Sequence, residues 1–212
     1  MTEAAKPFHT IAAACEAEVR VRDSRFIAWL APAQSRAQAE ALIAARARQF
    51  ADARHNCYAF RLGLGEQLLA HSSDAQEPSG SAGRPMLQTL AAHQLTNLVA
   101  VVSRYFGGTK LGIGGLMRAY SSAVQAAIAR ATLVPLHPRT HLRLTYSYHH
   151  SAAVEKALHQ YQAKTLASDF GTAISRLVVI RRDLEPAFRS SLTDWSGGRV
   201  QIQAVEEPPG TA

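Results

Sequence analysis

Apolar residues in the first half of the chain fall in short runs whose spacing changes several times. Residues 12–21 read as a strand leading into a turn at Asp23-Ser24, and Arg25 to Ala31 as a second strand ended by Pro32. From Ser35 to Phe50 the spacing is helical, with Ala39, Leu42, Ile43 and Ala47 on one face. Two strands follow, His55 to Leu62 and Gln67 to Ser72, paired across Gly63 and Gly65. His71 to Arg84 is polar and turn-rich, with Pro78, Gly80 and Gly83, and predicts a loop. Pro85 suits a first helical turn, and Met86, Leu87, Leu90 and Leu95 predict a short amphipathic helix behind it. Leu98 to Val102 is continuously apolar, as in a strand covered on both faces. A glycine-rich segment then feeds a long helix ending near Arg130. Its expected buried stripe is Ile113, Leu116, Met117, Tyr120, Val124 and Ile128, with Arg118, Ser122 and Gln125 on the other face.

Pro135 and Pro138 mark a linker, and the pattern beyond them is cleaner. His141 to Tyr148 alternates, placing Leu142, Leu144, Tyr146 and Tyr148 on the core side. Ser151 is expected to cap a helix carrying Val154, Ala157, Leu158 and Tyr161. Strands near 165–170 and 174–181 flank Gly171. Asp183 is expected to cap a helix burying Leu184, Phe188 and Leu192, with Trp195 as a lid on that core. Gly197-Gly198 turns into a last strand with Val200, Ile202 and Ala204. Strand-helix-strand-strand-helix-strand is the ferredoxin-like order. The fold class is α+β, with one domain over 1–134, a ferredoxin-like domain over 139–205 and a loose tail over 206–212.

Composition narrows the function classes. Lys plus Arg number 23 against 16 Asp plus Glu, a formal charge of +7, and the only lysines are Lys6, Lys110, Lys156 and Lys164. An arginine-weighted excess suits an anionic partner, although genome composition also produces one. Cys15 and Cys57 belong to no metal-ligand spacing, so neither a zinc site nor a disulfide scaffold is expected. His149 and His150, being adjacent, read as surface histidines. Met1 to Phe8 carries no apolar run, and no segment approaches the ~18 apolar residues of a membrane span. A cytoplasmic protein without membrane contact, cofactor or metal is the expectation.

Three segments carry a family resemblance. They are SRFIA at 24–28, ARHNCYAF at 53–60 and, most specific, VVSRYFGGTKLGIGGLMRAY at 101–120. On these the chain resembles the IMPACT family of the bacterial YigZ type. The resemblance implies a first domain similar to the second domain of ribosomal protein S5, and a second similar to the last domain of elongation factor G. It also implies a role near translation, since the eukaryotic relatives regulate translational control through protein partners. One segment departs from the family pattern. Where that pattern has Asp-Asp-Gly-Glu-Pro, this sequence has Asp74-Ala75-Gln76-Glu77-Pro78, which removes one of two neighbouring acids and with it support for a metal-binding loop.

The glycine-rich run lacks the spacing of a phosphate-binding GxxxxGK[ST] loop and of a dinucleotide fingerprint. Two readings stay open for it. Glycines at a helix start can let backbone N–H groups approach an anion, with Arg104, Gly107, Gly108, Lys110, Gly112, Gly114, Gly115 and Arg118 around it. Alternatively, they only allow tight packing. Arg118 is expected beside Lys110, offset by a partner phosphate or by Glu77. His55 and Cys57 share a strand face, but a buried cysteine and a bonded histidine explain them better than a catalytic pair. Asp74 is expected to bond backbone N–H groups ahead of it or to pair with Arg84. Arg139, Arg143 and Arg199 form a second basic patch. The leading expectation is a binding or regulatory protein that contacts the ribosome, RNA or a translation factor, with no catalytic residue assigned. The alternative is an enzyme for a small phosphorylated or carboxylated substrate, which requires the 71–84 loop to close over the 107–115 turn. That closure would bring Glu77 and His55 near Lys110 and Arg118, with Asp74 and Arg84 as further candidate loop or pocket residues.

Overall fold

A computed structural model describes residues 8–206, which separate into two compact units, one ending at Leu136 and the other beginning at His137. In chain order the first unit has β1 (Phe8–Ile11), β2 (Cys15–Val21), β3 (Ser24–Pro32), α1 (Arg36–Gln49), β4 (His55–Leu62) and β5 (Leu69–Ser73). It continues with α2 (Gly83–Ala92), β6 (Leu98–Tyr105), α3 (Gly112–Ile128) and β7 (Leu133–Leu136). Five strands form one antiparallel sheet in the order β2-β3-β6-β4-β5. The α1 crossover separates β3 from β4, and β6 fills the slot between them. This is why β6 reads as an unbroken apolar run. One of its faces lies in a core with Leu42 and Ile43 of α1, the other in the main core with α2 and α3.

Local chemistry fixes the element ends. Ser35 accepts the Gln38 N–H at 3.2 Å and starts α1. The buried face of α3 is Leu116, Ala119, Tyr120, Ala123, Val124 and Ala127, whereas Ile113 and Met117 are 58% and 37% exposed. The expected stripe is therefore rotated. Alanines at four-residue spacing let α3 lie close on β2 and β3, so the small residues rather than the largest ones mark the packed face.

Two further expectations are corrected here. The segment carrying Pro135 is not linker: β7 pairs antiparallel with β1, a strand the apolar pattern missed, and β2 begins only at Cys15. β1 is also bonded through His9 to Gln94 and Thr96, whereas β7 pairs only with β1 among the described residues and so is an edge strand, which tolerates a proline. The expected tail lies, past Glu206, outside the described residues.

The second unit comprises β8 (Arg139–Tyr146), α4 (Ser151–Gln160), β9 (Lys164–Phe170), β10 (Ile174–Arg181), α5 (Glu185–Ser196) and β11 (Gln201–Val205). Its sheet order is β11-β8-β10-β9, all antiparallel, with Leu142, Leu144 and Tyr146 packed on Val154, Leu158, Phe188 and Leu192. That is the ferredoxin-like arrangement. Trp195 packs at the edge of this core, with Lys156 Nζ 4.0 Å from its ring centroid. Tyr148 leaves the core face because β8 stops at Tyr146 and a helical turn follows. It is 54% exposed and donates its hydroxyl to Gly171 O at 3.2 Å. Neither expected side-chain cap forms: Ser151 is already the first residue of α4, and Asp183 pairs with Arg181 instead.

Phe188 is fully buried against Tyr161, whereas Leu166 is exposed on the edge strand β9. Phe188→Ala is expected to cost about 3–5 kcal/mol, and Leu166→Ala less than about 0.5 kcal/mol, in urea unfolding followed by circular dichroism. Similar losses for the two would contradict this core assignment.

Candidate functional site

The 74–82 loop is organised by its first carboxylate. Glu77 N–H donates to Asp74 O at 2.9 Å, closing a turn in which Ala75 (φ 45°) and Gln76 (φ 70°) both take the left-handed conformation. The Asp74 carboxylate accepts the N–H groups of Gly80 (2.7 Å), Ala82 (2.9 Å) and Gly83 (2.8 Å), at the start of α2. Burial alone would raise the Asp74 pKa, but the bonds from Gly80, Gly83 and Ala82 outweigh it and hold the carboxyl below its ordinary value. Both oxygens are thus taken by backbone. Arg84 does not pair with Asp74 and stands exposed.

Glu77 turns the other way, into the domain, and its side chain is only 3% exposed. Its Oε1 accepts from Arg104 Nη1 at 2.6 Å and from the Tyr120 hydroxyl at 2.8 Å. The Cys57 thiol has the Asp74 carbonyl at 3.0 Å and the Tyr120 oxygen at 3.2 Å as acceptors. Burial pushes the Cys57 pKa up to about 12 and pushes Tyr120 well above the ordinary phenol range, so both stay protonated. A thiol in that state is not a nucleophile. His55 is oriented by neither acid. Its Nδ1 lies 2.8 Å from Ala75 O, which makes that nitrogen the donor, and its Nε2 lies 3.9 Å from Glu77 Oε1.

The glycine-rich turn divides into packing glycines and open ones. A Cβ on Gly107 would lie 2.2 Å from the Asp23 carbonyl carbon, and its N–H donates to Ser24 Oγ. Gly107 is there for close approach. Gly108 (φ +92°) and Gly112 (φ +69°) have open space around them and are needed for backbone conformation. Gly114 and Gly115 lie in the first turn of α3, which carries no acidic residue and no side-chain cap.

The 71–84 loop and the 107–115 turn do meet. They enclose a cleft of about 500 Å³ in which Arg54, His55, Glu77, Arg104 and Lys110 supply the charged or titratable groups. Gln76, Phe106 and Ile113 form other parts of its wall. Arg104 is buried, not a surface cation. Its guanidinium lies 5.4 Å from the Phe26 ring and 5.6 Å from Phe106, and its buried Nε has no partner among the described residues. Arg118 is not part of this cleft. It lines a separate small groove with Arg22, Gly115 and Ser122, and its expected partner Glu77 is held by Arg104.

Arg139 and Arg143 alternate on the face of β8 opposite its core residues, and Arg199 lies in the turn before β11; all three are exposed. Among the described residues no helix is long and apolar enough to cross a membrane, and no three His, Cys, Asp or Glu side chains gather as metal ligands.

Three participants escaped sequence reading: Arg54, Phe106 and the hydroxyl of Tyr120. The last had a signal, because a tyrosine on a fully buried helix face requires a hydrogen-bond partner, and Glu77 is an acid beside a buried segment.

Comparison with known proteins places these residues in context. The Impact N-terminal domain model matches residues 22–128. The IMPACT family member YigZ of Escherichia coli is 35% identical over 189 residues, covering 88% of this chain and 92% of that protein. The IMPACT family member YvyE of Bacillus subtilis is 30% identical, covering 94% and 91%. A solved crystal structure of a hypothetical protein is similar with a TM-score of 0.68 and 33% identity, over 95% of this chain and 98% of that one.

Two predictions follow from the geometry. The Asp74 pKa is lower folded than unfolded, so its contribution is fully present above the unfolded value of about 3.9 and is lost as pH falls through the folded one. Melting temperature should therefore fall more steeply below about pH 4 in the wild type than in Asp74→Asn, measured by scanning calorimetry; parallel curves would remove this role. Gly107→Ala is expected to cost about 1–3 kcal/mol, because its Cβ meets backbone, while Gly114→Ala should be neutral or stabilising by up to about 1 kcal/mol. Chemical denaturation measures both, and a tolerated Gly107→Ala would show that the turn is open rather than packed.

Proposed function

The chain belongs to the IMPACT family, a family linked to translational regulation, and from that premise we propose that it is a translation-associated binding protein whose first domain grips an anionic group in the 54–113 cleft. The observation that carries this reading is the cleft's composition. Arg54, Arg104 and Lys110 face one carboxylate, Glu77, and the uncapped first turn of α3 adds positive backbone character. Exposed Lys110 and Arg54 are available to a macromolecular partner at the rim. Arg139 and Arg143 offer a second, weaker contact on the open sheet face of the other domain. The partner in this reading is the ribosome, an RNA or a translation factor.

A second reading has its own observation. His55 is fixed in one tautomer by Ala75 O, with Nε2 beside Glu77 in a cleft formed by the two segments an enzyme would need. In that reading the substrate is a small phosphorylated or carboxylated molecule and His55 accepts a proton from it.

Cosedimentation with ribosomes over a salt series separates the two. The wild type should pellet at low salt, and Arg54→Ala with Lys110→Ala should reduce the salt slope by roughly one unit per lost phosphate contact without lowering the melting temperature. Folded wild type that stays in the supernatant even at low salt defeats the binding reading. Turnover of a cellular metabolite extract, lost in His55→Gln, would then favour the enzyme.

A further inference from the structure

The anionic group proposed above need not be a bare phosphate, because half of the cleft wall is unsuited to one. Phe106 and Ile113 are 44% and 58% exposed, and both line the cleft beside its cations. Large apolar side chains left open next to charge mark a surface that is covered in use. Phe106 presents a ring that a flat group can stack on. Gln76 adds an amide, able both to donate and to accept, held in the wall by a left-handed backbone that a glutamine rarely adopts. Such conformations cluster at ligand sites.

The polar half is equally specific. Arg104 is buried to 5% exposure, and its Nε has no hydrogen-bond partner among the described residues. Arg104 also lines the cleft, with Nη1 committed to Glu77, so its fixed positive charge favours an anionic ligand there. The first turn of α3, seventeen residues long, opens on the same cleft at Gly112 and Ile113 with no acidic residue and no side-chain cap. Lys110 stands exposed beside it. Glu77 directs the orientation: Oε1 is committed to Arg104 and Tyr120, and its negative charge keeps a phosphate toward Lys110 and α3. Its other oxygen has no hydrogen-bond partner among the described residues. The volume, about 500 Å³, is that of a small-ligand site.

We infer that the cleft binds a nucleoside phosphate, its phosphate at Lys110, Arg104 and the α3 N-terminus, its sugar hydroxyls toward Glu77, and its base against Phe106 and Ile113. The inference rests on the anion-cleft reading given above. The same chemistry arises in a free nucleotide and in the phosphorylated end of an RNA strand.

Titration calorimetry on the full chain tests it, with four nucleoside 5′-monophosphates, inorganic phosphate and unphosphorylated nucleosides as probes. At least one monophosphate should bind roughly tenfold more tightly than phosphate alone and than its own nucleoside. Lys110→Ala should weaken monophosphate binding about tenfold, whereas Phe106→Leu should remove the advantage over phosphate and leave phosphate binding unchanged. Both side chains are exposed, so an unaltered melting temperature certifies the variants. Competition by a short RNA carrying a 5′-phosphate, and not by its 5′-hydroxyl counterpart, assigns the strand end as the source; competition by neither assigns the free nucleotide. Equal affinity for phosphate and every monophosphate overturns the base contact, and no binding of any monophosphate at millimolar concentration overturns the inference. Ribosome cosedimentation that persists in that case leaves the binding reading standing, and nucleotide binding without cosedimentation does the reverse.

Discussion

A carboxylate that leaves water must be matched where it lies, and in the first domain the matching of Glu77 sets the position of everything around it. Stranding such a charge without a partner costs several kcal/mol, and removing one member of a buried pair typically costs about 3–5 kcal/mol. The network around it draws on three separate elements. Arg104 is the penultimate residue of β6, Tyr120 lies in the middle of α3, and Cys57, bonded to both the loop and Tyr120, belongs to β4. The loop cannot shift without unpairing the charge. The sheet and helix are packed by apolar contacts that would hold without it, so the network's particular contribution is to fix an irregular segment against a regular core.

That fixation explains why a cleft exists at all. Asp74 gathers three backbone N–H groups at the start of α2, so the loop is tied at both ends and bridges between them. On the opposite side Gly107 lets the turn after β6 press onto the Asp23 backbone, closer than any side chain would permit. The chain then swings through Gly108 and Gly112 into α3. Two segments face each other across a gap, and the gap's lining combines cations, one carboxylate, a histidine and the exposed apolar side chains of Phe106 and Ile113. Charged and apolar groups thus line the same cleft.

The second domain works by other means. Its ferredoxin-like sheet buries one face under α4 and α5 and leaves the face of Arg143 and Thr145 without a helix over it. Arg139 and Arg143 are exposed on that face, and His141 between them is buried.

Periodicity in the sequence was enough to mark most strands and helices, because a covered strand must be apolar throughout and a surface helix must alternate faces every three or four residues. The order of elements in the second domain and the doubly covered β6 were legible on that basis, and so was the loop before α2. That loop spans 74–82 rather than 71–84, because β5 runs to Ser73 and α2 starts at Gly83. The motif at 101–120 was legible as family. Where the reading failed, the information lay between segments rather than within them. Ile113 and Met117 look like core residues because they are large, yet alanines form the packed face, a choice that only the distance from α3 to the sheet settles. Pro135 looks like a linker until β1 arrives beside it. Arg104, Lys110 and Arg118 look like one basic cluster because they are near in sequence. Only the tertiary structure decides that Arg104 is buried with Glu77, that Lys110 faces the cleft and that Arg118 lies elsewhere. The physical reason is that local spacing dictates which residues leave water, whereas the pairing of a buried charge depends on groups that the fold brings together from 27 to 43 positions away.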